Sequence, residues 1–188
     1  MSLLNQTSAL VLTFNEAANI ARTLEALRRL SEVVVLDSGS SDETVAIASK
    51  FPNVRVVTRA FDTHSAQWNF GLERCGLRGH WVLALDADYV VSAALLDEIA
   101  VLEPDEDVSG FRISFDYWIH GQALKAALYP PVTAFYRRDR AHYQQEGHTQ
   151  RVRVTGTVVP LQGRIAHDDR KPLGRWFQSQ INYARLEA

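Results

Sequence analysis

Short apolar runs alternate with helical patterns through the first hundred residues of the chain. Four of the runs predict strands: 9–13, 33–36, 54–57 and 81–85. Helical patterns follow each of them, over about 16–29, 40–50, 64–75 and 92–102. Because strand and helix alternate at short intervals, the sequence predicts an α/β fold. Its sheet is expected to be mostly parallel and Rossmann-like, with helices on both faces.

The pattern changes after the acidic loop Glu103–Asp107, which a proline interrupts. Further strands are predicted after it, at 108–116, 132–137, 151–155, 157–161 and 163–166. Their order favours a mixed, partly antiparallel arrangement. We expect these strands to extend the first sheet, so that residues 1–188 form a single domain.

The composition excludes several classes of protein. The chain has 188 residues, 46% of them hydrophobic, and a net charge of −2, which argues against a disordered chain and against a basic nucleic-acid-binding surface. One cysteine excludes an internal disulfide framework and a cysteine-rich zinc site. No signal peptide and no apolar run of about 18 residues is visible. The expected compartment is the cytoplasm.

Polar side chains gather where three of the predicted strands end. The first strand leads into Thr13–Glu16, the second into Asp37–Asp42 and the fourth into Asp86–Asp88. Ligands of open parallel sheets bind beyond the carboxyl ends of the strands. We therefore expect the three segments to form one site.

Asp86 and Asp88 form a D-x-D motif at the end of a strand of five apolar residues. Residues i and i+2 of an extended strand point the same way, so both carboxylates can face one ligand. Two close carboxylates repel unless a cation lies between them, and Mg²⁺ or Mn²⁺ prefers carboxylates together with phosphate oxygens. The alternative is that Asp88 caps a turn and Asp86 is solvated.

The other two strand ends allow both a binding role and a structural one. The carboxylate of Asp37 can accept hydrogen bonds from a base or a ribose, and Ser38 follows it with a small side chain. Ser40–Glu43 has the pattern of a capping box for the next helix. Asn15 is equally a good N-cap, and Glu16 suits a first helical turn.

Taken together, the three segments resemble the family 2 glycosyltransferases of the GT-A fold, over about residues 8–170 and most strongly over 8–102. The similar subgroup is the bacterial lipopolysaccharide-core glucosyltransferases. The resemblance implies a nucleotide-diphosphate sugar as donor, with a UDP-sugar as the first expectation, a Mg²⁺ or Mn²⁺ ion, and inversion at the anomeric carbon. The implied acceptor is a hydroxyl of a cell-envelope glycan or a lipid-linked saccharide.

The resemblance also implies roles for individual residues. Asp37 would bind the base, Asp86 would lie near the ribose and the metal, and Asp88 and His167 would coordinate the metal. The remaining residues of the nucleotide pocket would be Thr13, Asn15, Glu16, Ser38, Gln67 and Asn69. For Gln67 and Asn69 the alternative is an exposed position on a helix, and for His167 a surface position at the end of a strand.

One departure concerns the catalytic base. Relatives in this subgroup carry a His-Glu pair before the last hairpin. At the corresponding position this chain has His148, Thr149 and Gln150, and glutamine cannot accept a proton at neutral pH. Glu146 is therefore the candidate base. A base elsewhere, or a homologue that binds nucleotide sugars without transferring them, stays open. A phosphatase of the haloacid dehalogenase type is another alternative, although in that class the D-x-D motif follows the first strand, whereas in this chain it follows the fourth.

The second half offers an acceptor side and a tail. On this interpretation residues 1–103 bind the nucleotide sugar and 104–172 supply the acceptor and metal side. Aromatic residues that suit a sugar ring, or ordinary packing, are Phe115, Tyr117, Trp118, His120 and Tyr129. Nine basic residues from Arg137 to Arg175 suggest a positive face for a phosphate or, alternatively, a solvated face of a strand.

Residues 173–188 predict the start of an amphipathic helix, which packs on the domain or touches the inner face of the membrane. The pattern has no stop signal, so we expect the natural chain to continue past residue 188.

Overall fold

The computed structural model of the protein describes residues 2–119, 121–125, 130–146, 149–172, 174, 177 and 181. The helices are α1 Ile20–Ala26, α2 Thr44–Ala48, α3 His64–Arg74 and α4 Ala93–Val101. The strands of the first half are β1 Thr7–Thr13, β2 Val33–Asp37, β3 Val54–Thr58, β4 Trp81–Asp86 and β5 Tyr89–Val91. Those of the second half are β6 Val108–Ile119, β7 Gln122–Ala123, β8 Val132–Arg137, β9 Ala141–Glu146, β10 Thr149–Val154 and β11 Thr157–His167. Short 3₁₀ turns cover Leu3–Gln6 and Arg138–Arg140.

One sheet runs through both halves of the described chain, in the order β3-β2-β1-β4-β8-β6-β11-β5, with β7 added to β6. Strands β3, β2, β1 and β4 are parallel, β8 is antiparallel to its neighbours β4 and β6, and β11 is parallel to β6. The predicted α/β fold and the extension of the first sheet by the second half are confirmed. A separate hairpin is formed by β9 and β10.

The core lies on both faces of this sheet because side chains alternate along each strand. In β1, Ala9 and Val11 join the apolar cluster beneath α1, α2 and α4, whereas Leu10 and Leu12 join the cluster beneath α3. Helix α3 packs closely on β1, since a Cβ added at Gly71 would lie 2.5 Å from Cδ2 of Leu10. The sheet is therefore covered on both sides, and its strand ends are where a ligand can reach it.

Several predicted boundaries differ from the structure. The first helix begins at Ile20 and not at residue 16, because Asn15 has a left-handed φ of 54° and residues 17–19 form a turn. Two predicted strands, 157–161 and 163–166, are one strand, β11, with a register shift against β6 between Pro160 and Arg164. Most of the predicted helix 173–188 lies outside the described residues. No helix in the described part of the chain has the length and apolarity needed to cross a bilayer.

The basic residues of the predicted positive face lie in different parts of the structure. Cζ of Arg137 lies 4.8 Å from the ring centroid of Trp81, which is the first residue of β4. Lys171 contacts Glu16, beyond the opposite end of β1. Arg164 pairs with Asp116 at 2.8 Å. These three basic residues thus lie apart from one another, each with its own partner, and Arg175 lies outside the described residues.

Candidate active site

The carboxyl ends of β1, β2 and β4 lie side by side, as the sequence predicts. Thr13 pairs with Asp37 across β1 and β2, and Leu12 pairs with Asp86 across β1 and β4. The loops that follow these strands therefore meet at one edge. The same edge receives the end of β11, where His167 pairs with Tyr89 of β5.

Asp88 and His167 contact each other at this edge. The two residues are 79 positions apart in the sequence, and 3.1 Å separates Oδ2 of Asp88 from Nε2 of His167. The backbone N–H of Asp168 donates to the carbonyl oxygen of Asp88 at 3.1 Å. The ring of His167 packs between Tyr89 and Tyr117, with centroid distances of 5.1 and 5.2 Å. His167 is thus held by packing as well as by hydrogen bonding, and it does not project freely from the surface.

The electrostatics of this edge suit a cation. Burial raises the pKa of Asp86 to about 6, and the nearby charge of Asp88 adds to the shift. Burial alone would lower the pKa of His167. The hydrogen bond to Asp88 and the charges of Asp88 and Asp86 outweigh it, so the pKa of His167 is raised. Besides burial, both shifts reflect the negative charge that Asp86 and Asp88 bring to this edge.

The residues present fit a divalent ion that is shared with a ligand. No group of three or more His, Cys, Asp or Glu side chains in the described ranges is arranged to enclose a metal. Asp88 and His167 can supply one oxygen and one nitrogen ligand, and Asp86 adds negative charge beside them. Mg²⁺ is usually bound in this way, by one or two carboxylates with phosphate oxygens and water completing the shell.

Asp37 organises the loop that follows β2. Its side chain is almost fully buried, and Oδ2 accepts hydrogen bonds from the backbone N–H groups of Gly39 and Ser40, both at 2.9 Å. The hydroxyl of Ser40 donates to the other carboxylate oxygen. Because Ser40 is used by Asp37, the predicted capping box is wrong. Instead, Oδ1 of Asp42 accepts the N–H of Thr44 at the start of α2, at 3.0 Å.

Asn15 joins the loops that follow β1 and β2. Its Oδ1 accepts the N–H of Ser41 at 2.8 Å, and its own N–H donates to Oγ of Ser40 at 2.8 Å. The alternative that Asn15 caps the first helix is therefore wrong. Thr13 lies just before it and is 5% exposed. Among the described residues its hydroxyl has no hydrogen-bond partner, which is unusual for a buried polar atom and leaves it available to a ligand.

Gln67 is fully buried and supports the same loop, so the alternative of an exposed helical position is wrong for it. Its Nε2 donates to Oγ of Ser38 at 3.1 Å and to the carbonyl oxygen of Arg59 at 3.3 Å. Its Oε1 accepts from the guanidinium of Arg59, which also pairs with Asp62 at 2.7 Å. Asn69 does not join this network, since its amide bonds to the backbone of Tyr143 in β9.

Glu16 is held by a polar cluster that we call the clasp. Its carboxylate bonds to Nζ of Lys171 and, at 2.8 Å, to Nδ2 of Asn19. Burial raises the pKa of Glu16 although these bonds oppose the shift, and the charge of Asp88 adds to it. The other members of the clasp, which joins the start of α1 to the chain after β11, are Arg22, Asp168, Asp169 and Arg170.

Comparison with known proteins assigns the family. The model of glycosyl transferase family 2 matches residues 8–149. The chain belongs to this family. The alternative of a haloacid dehalogenase-type phosphatase is therefore wrong, in keeping with the position of the D-x-D motif on β4 and not on the first strand.

Two sequence relatives illustrate the family. An uncharacterized glycosyltransferase of Rickettsia conorii is 38% identical over 99 residues, which is 52% of this chain and 34% of the relative. The lipopolysaccharide core biosynthesis glycosyltransferase LpsC of Rhizobium meliloti is 29% identical over 112 residues, which is 57% of this chain and 41% of LpsC. The matched segment spans about a third to two fifths of the length of these relatives.

Solved structures share the fold. S. aureus TarS in complex with UDP-GlcNAc superposes with a TM-score of 0.66 at 16% identity, over 89% of this chain and 59% of TarS. Glucosyl-3-phosphoglycerate synthase from Mycobacterium tuberculosis, in complex with Mn²⁺, UDP and phosphoglyceric acid, gives a TM-score of 0.60 at 16% identity. That match covers 92% of this chain and 74% of the synthase.

In this family 2 glycosyltransferase the candidate base Glu146 ends β9, in the hairpin and not in the main sheet. Its carboxylate is 2.9 Å from Nε of Arg151 and also bonds to the guanidinium of Arg153. His148 lies outside the described residues, and Gln150 pairs with Gln145. The role of Glu146 as base stays a prediction.

The aromatic residues of the second half divide between packing and a cavity. Phe115 and Tyr117 are buried, and Phe115 contacts the ring of Tyr89 at 4.9 Å, so ordinary packing accounts for both. Trp118 lines an open cavity of about 500 Å³, beside Arg22, Asp168 and Arg170 of the clasp. His120 and Tyr129 lie outside the described residues.

The clasp is the part of the site that sequence reasoning missed. A signal for it existed, because the charged run Asp168–Lys171 directly follows His167. The partners of this run are about 150 positions away, however, at Glu16, Asn19 and Arg22. No spacing rule connects residues at that separation.

Proposed function

We propose that the protein transfers a sugar from a nucleotide-diphosphate sugar to a hydroxyl acceptor, with the help of Mg²⁺ or Mn²⁺. The observation that carries the proposal is the meeting of Asp86, Asp88 and His167 at one sheet edge, beside the loop that Asp37 organises. Asp88 and His167 would hold the ion, and the ion would stabilise charge on the departing nucleotide diphosphate.

The nucleotide would lie across the ends of β1 and β2. The buried hydroxyl of Thr13 and the small side chain of Ser38 leave room for polar contacts there, and Gln67 keeps Ser38 in place. In this proposal Asp37, Asn15 and Glu16 complete the pocket. A UDP-sugar is favoured as the donor because the fold neighbours include complexes with UDP and with UDP-GlcNAc.

The transfer itself would be a single displacement with inversion. The acceptor hydroxyl attacks the anomeric carbon on the face opposite the diphosphate, and the bond from that carbon to the diphosphate oxygen breaks. Glu146 would take the proton of the hydroxyl. The carboxylate of Glu146 is paired with Arg151 and Arg153, and these contacts would orient it toward an acceptor.

For the acceptor, we propose a cell-envelope glycan or a lipid-linked saccharide, reached from the cytoplasm at the inner face of the membrane. The support is the printed name of LpsC, a lipopolysaccharide core biosynthesis glycosyltransferase. A peripheral membrane contact would follow from such an acceptor.

Thermal unfolding with UDP, GDP, CDP and dTDP, each with and without Mn²⁺, tests the donor site. We expect one nucleotide to raise the melting temperature in a Mn²⁺-dependent way. At about 100 times its Kd a ligand adds about 2.7 kcal/mol, which for a chain of this size is about 5–10 °C. The variant Asp88→Ala should abolish the shift. The control Asp139→Ala, whose side chain is 80% exposed, should keep it.

The outcomes separate the proposal from its alternatives. Flat curves with every nucleotide would contradict the donor site. A shift that survives in Asp88→Ala would contradict the proposed metal ligand. Nucleotide binding without release of UDP from any UDP-sugar would favour the non-catalytic homologue that the Gln150 position leaves open.

A further inference from the structure

The hairpin β9–β10 is held to the rest of the molecule in part by one asparagine of α3. Nδ2 of Asn69 donates to the carbonyl oxygen of Tyr143 at 2.9 Å, and the N–H of Tyr143 donates to Oδ1 of Asn69 at 2.8 Å. A side-chain amide thus makes the two hydrogen bonds that a neighbouring strand would otherwise make. This use of both amide groups gives Asn69 a defined orientation toward the hairpin.

Packing fixes Tyr143 on its other sides. The ring of Trp68 stacks on it with centroids 5.1 Å apart and an angle of 10°, and its hydroxyl lies 3.0 Å from the hydroxyl of Tyr136 in β8. Both tyrosines are buried. Since the indole N–H of Trp68 has no hydrogen-bond partner among the described residues, packing alone holds that ring.

The other side of α3 supports the loop that follows β2, at residues 38–42, which we call the nucleotide loop because the proposed donor would bind there. Gln67, two positions before Asn69, bonds to Ser38 and Arg59. Neighbouring positions of a helix face different directions, so one turn of α3 can contact two separate structures. Helix α3 therefore lies between the loop proposed for the donor and the hairpin proposed to carry the base.

We propose that Asn69 is a positioning residue for hairpin β9–β10, and through it for Glu146, while Gln67 alone of the two serves the nucleotide loop. Glu146 lies three residues beyond Tyr143 on β9, about 10 Å along an extended strand. The inference rests on the proposed function and moves Asn69 from the nucleotide pocket, where the family resemblance placed it, to the acceptor side.

Three variants test this assignment. Asn69→Ala removes both hydrogen bonds and keeps a good helix former in α3. Asn69→Asp keeps an acceptor for the N–H of Tyr143 but loses the donor. Gln67→Ala is the matched control on the donor side. The measurements are amide hydrogen exchange at Tyr143 by NMR, affinity for UDP with Mn²⁺ by calorimetry, and the rate of UDP release from the UDP-sugar that binds.

The expected results differ between the two positions. In Asn69→Ala, exchange at Tyr143 should rise by about tenfold or more, as expected for two lost hydrogen bonds. UDP release should fall about tenfold, and the affinity for UDP should stay within about twofold of the wild type. Asn69→Asp should recover part of the protection. Gln67→Ala should weaken UDP binding and leave exchange at Tyr143 unchanged.

The inference would be overturned by unchanged exchange at Tyr143 in Asn69→Ala, or by a loss of UDP affinity as large as that in Gln67→Ala. Either result would return Asn69 to a role outside the hairpin. A failed proposed function looks different, because the wild type would then bind no nucleotide. The exchange measurement needs no ligand, so it would still decide whether Asn69 fixes the hairpin.

Discussion

Replacement of Asn19 by alanine should destabilise the protein more than any exposed substitution. Asn19 is fully buried at the start of α1, and its amide uses all four of its hydrogen-bonding positions. Nδ2 donates to Glu16 and Asp169, both at 2.8 Å. Oδ1 accepts from the guanidinium of Arg22 and from the N–H of Arg170, both at 2.9 Å.

The magnitude follows from these four bonds. A typical intramolecular hydrogen bond contributes about 1 kcal/mol net, and one to a charged group contributes about 1.5–3 kcal/mol. Three of the four partners of Asn19 are charged side chains, which remain half-buried after the substitution. We expect Asn19→Ala to lower the free energy of unfolding by about 4 kcal/mol. For a chain of this size that corresponds to a fall in melting temperature of about 8–16 °C.

Calorimetry and urea unfolding of the full chain measure this effect, with Asn5→Ala as the control because Asn5 is exposed. A second variant, Asn19→Asp, would place a carboxylate against Glu16 and Asp169 and should be at least as destabilised as the alanine variant. A fall of less than about 2 °C in Asn19→Ala would refute the reasoning, since it would mean that water replaces the four hydrogen bonds of the Asn19 amide without cost.

Three further predictions follow from other parts of the molecule. Gly163→Ala should lower the free energy of unfolding by about 1–3 kcal/mol in urea titrations, because a Cβ there would lie 2.4 Å from a backbone atom of α4. An unchanged free energy of unfolding would show that α4 shifts to accommodate the methyl group without cost. Burial would raise the pKa of Glu32, but the hydrogen bonds to its carboxylate outweigh this effect and the pKa is lowered. The ionised carboxylate therefore stabilises the folded state above pH 4.5, and this stabilisation is lost as the pH falls below that value. The melting temperature of Glu32→Gln should therefore depend less on pH between 5 and 3 than that of the wild type or of Glu25→Gln, and parallel curves would contradict this. Glu146→Gln should abolish sugar transfer and leave the affinity for UDP with Mn²⁺ unchanged; full turnover would place the base elsewhere.

Local patterns were sufficient for the parallel strands β1 to β4 and for the residues at their ends, but not for the short strands β5 and β7. The apolar runs of β1, β2 and β4 and the polar residues after them are contiguous in sequence, so their convergence follows from the parallel topology alone. The start of the helix predicted over about 92–102 is also local, since the hydroxyl of Ser92 accepts the N–H of Leu95 at 3.1 Å. Each of these predictions depends on neighbours within one element.

Local patterns failed where a side chain bonds to a distant segment. Ser40 and Asn15 both have the chemistry of N-caps. Instead, the hydroxyl of Ser40 donates to the buried carboxylate of Asp37, and Oδ1 of Asn15 accepts the N–H of Ser41. Gln67 sits on a helix whose exposed positions carry similar residues, and only the packing of α3 on β1 shows that it is buried. Asn69 illustrates the same limit, since its partner lies 74 residues away.

The charges around the candidate site explain why the proposed chemistry would need a divalent ion. In the described part of the chain, the clasp and the D-x-D motif form one electrostatic group, since Glu16, Asp86 and Asp88 all influence one another. This group holds five carboxylates against three side chains that are cationic at neutral pH; its members are Glu16, Asp86, Asp88, Asp168, Asp169, Arg22, Arg170 and Lys171. An excess of two negative charges remains when all five carboxylates are ionised and His167 is neutral.

A nucleotide diphosphate brings further negative charge to the same place and would be repelled by that excess. A divalent ion on Asp88 and His167 would cancel the excess, and it would also offset the part of the raised pKa of Asp86 that comes from the charge of Asp88. The arginines and the lysine cannot do this, because each is already committed to a carboxylate of the clasp. Metal binding should therefore precede or accompany nucleotide binding, and UDP alone should bind at least about tenfold more weakly than UDP with Mn²⁺. Equal affinities in calorimetry would show that cations outside this group balance the charge.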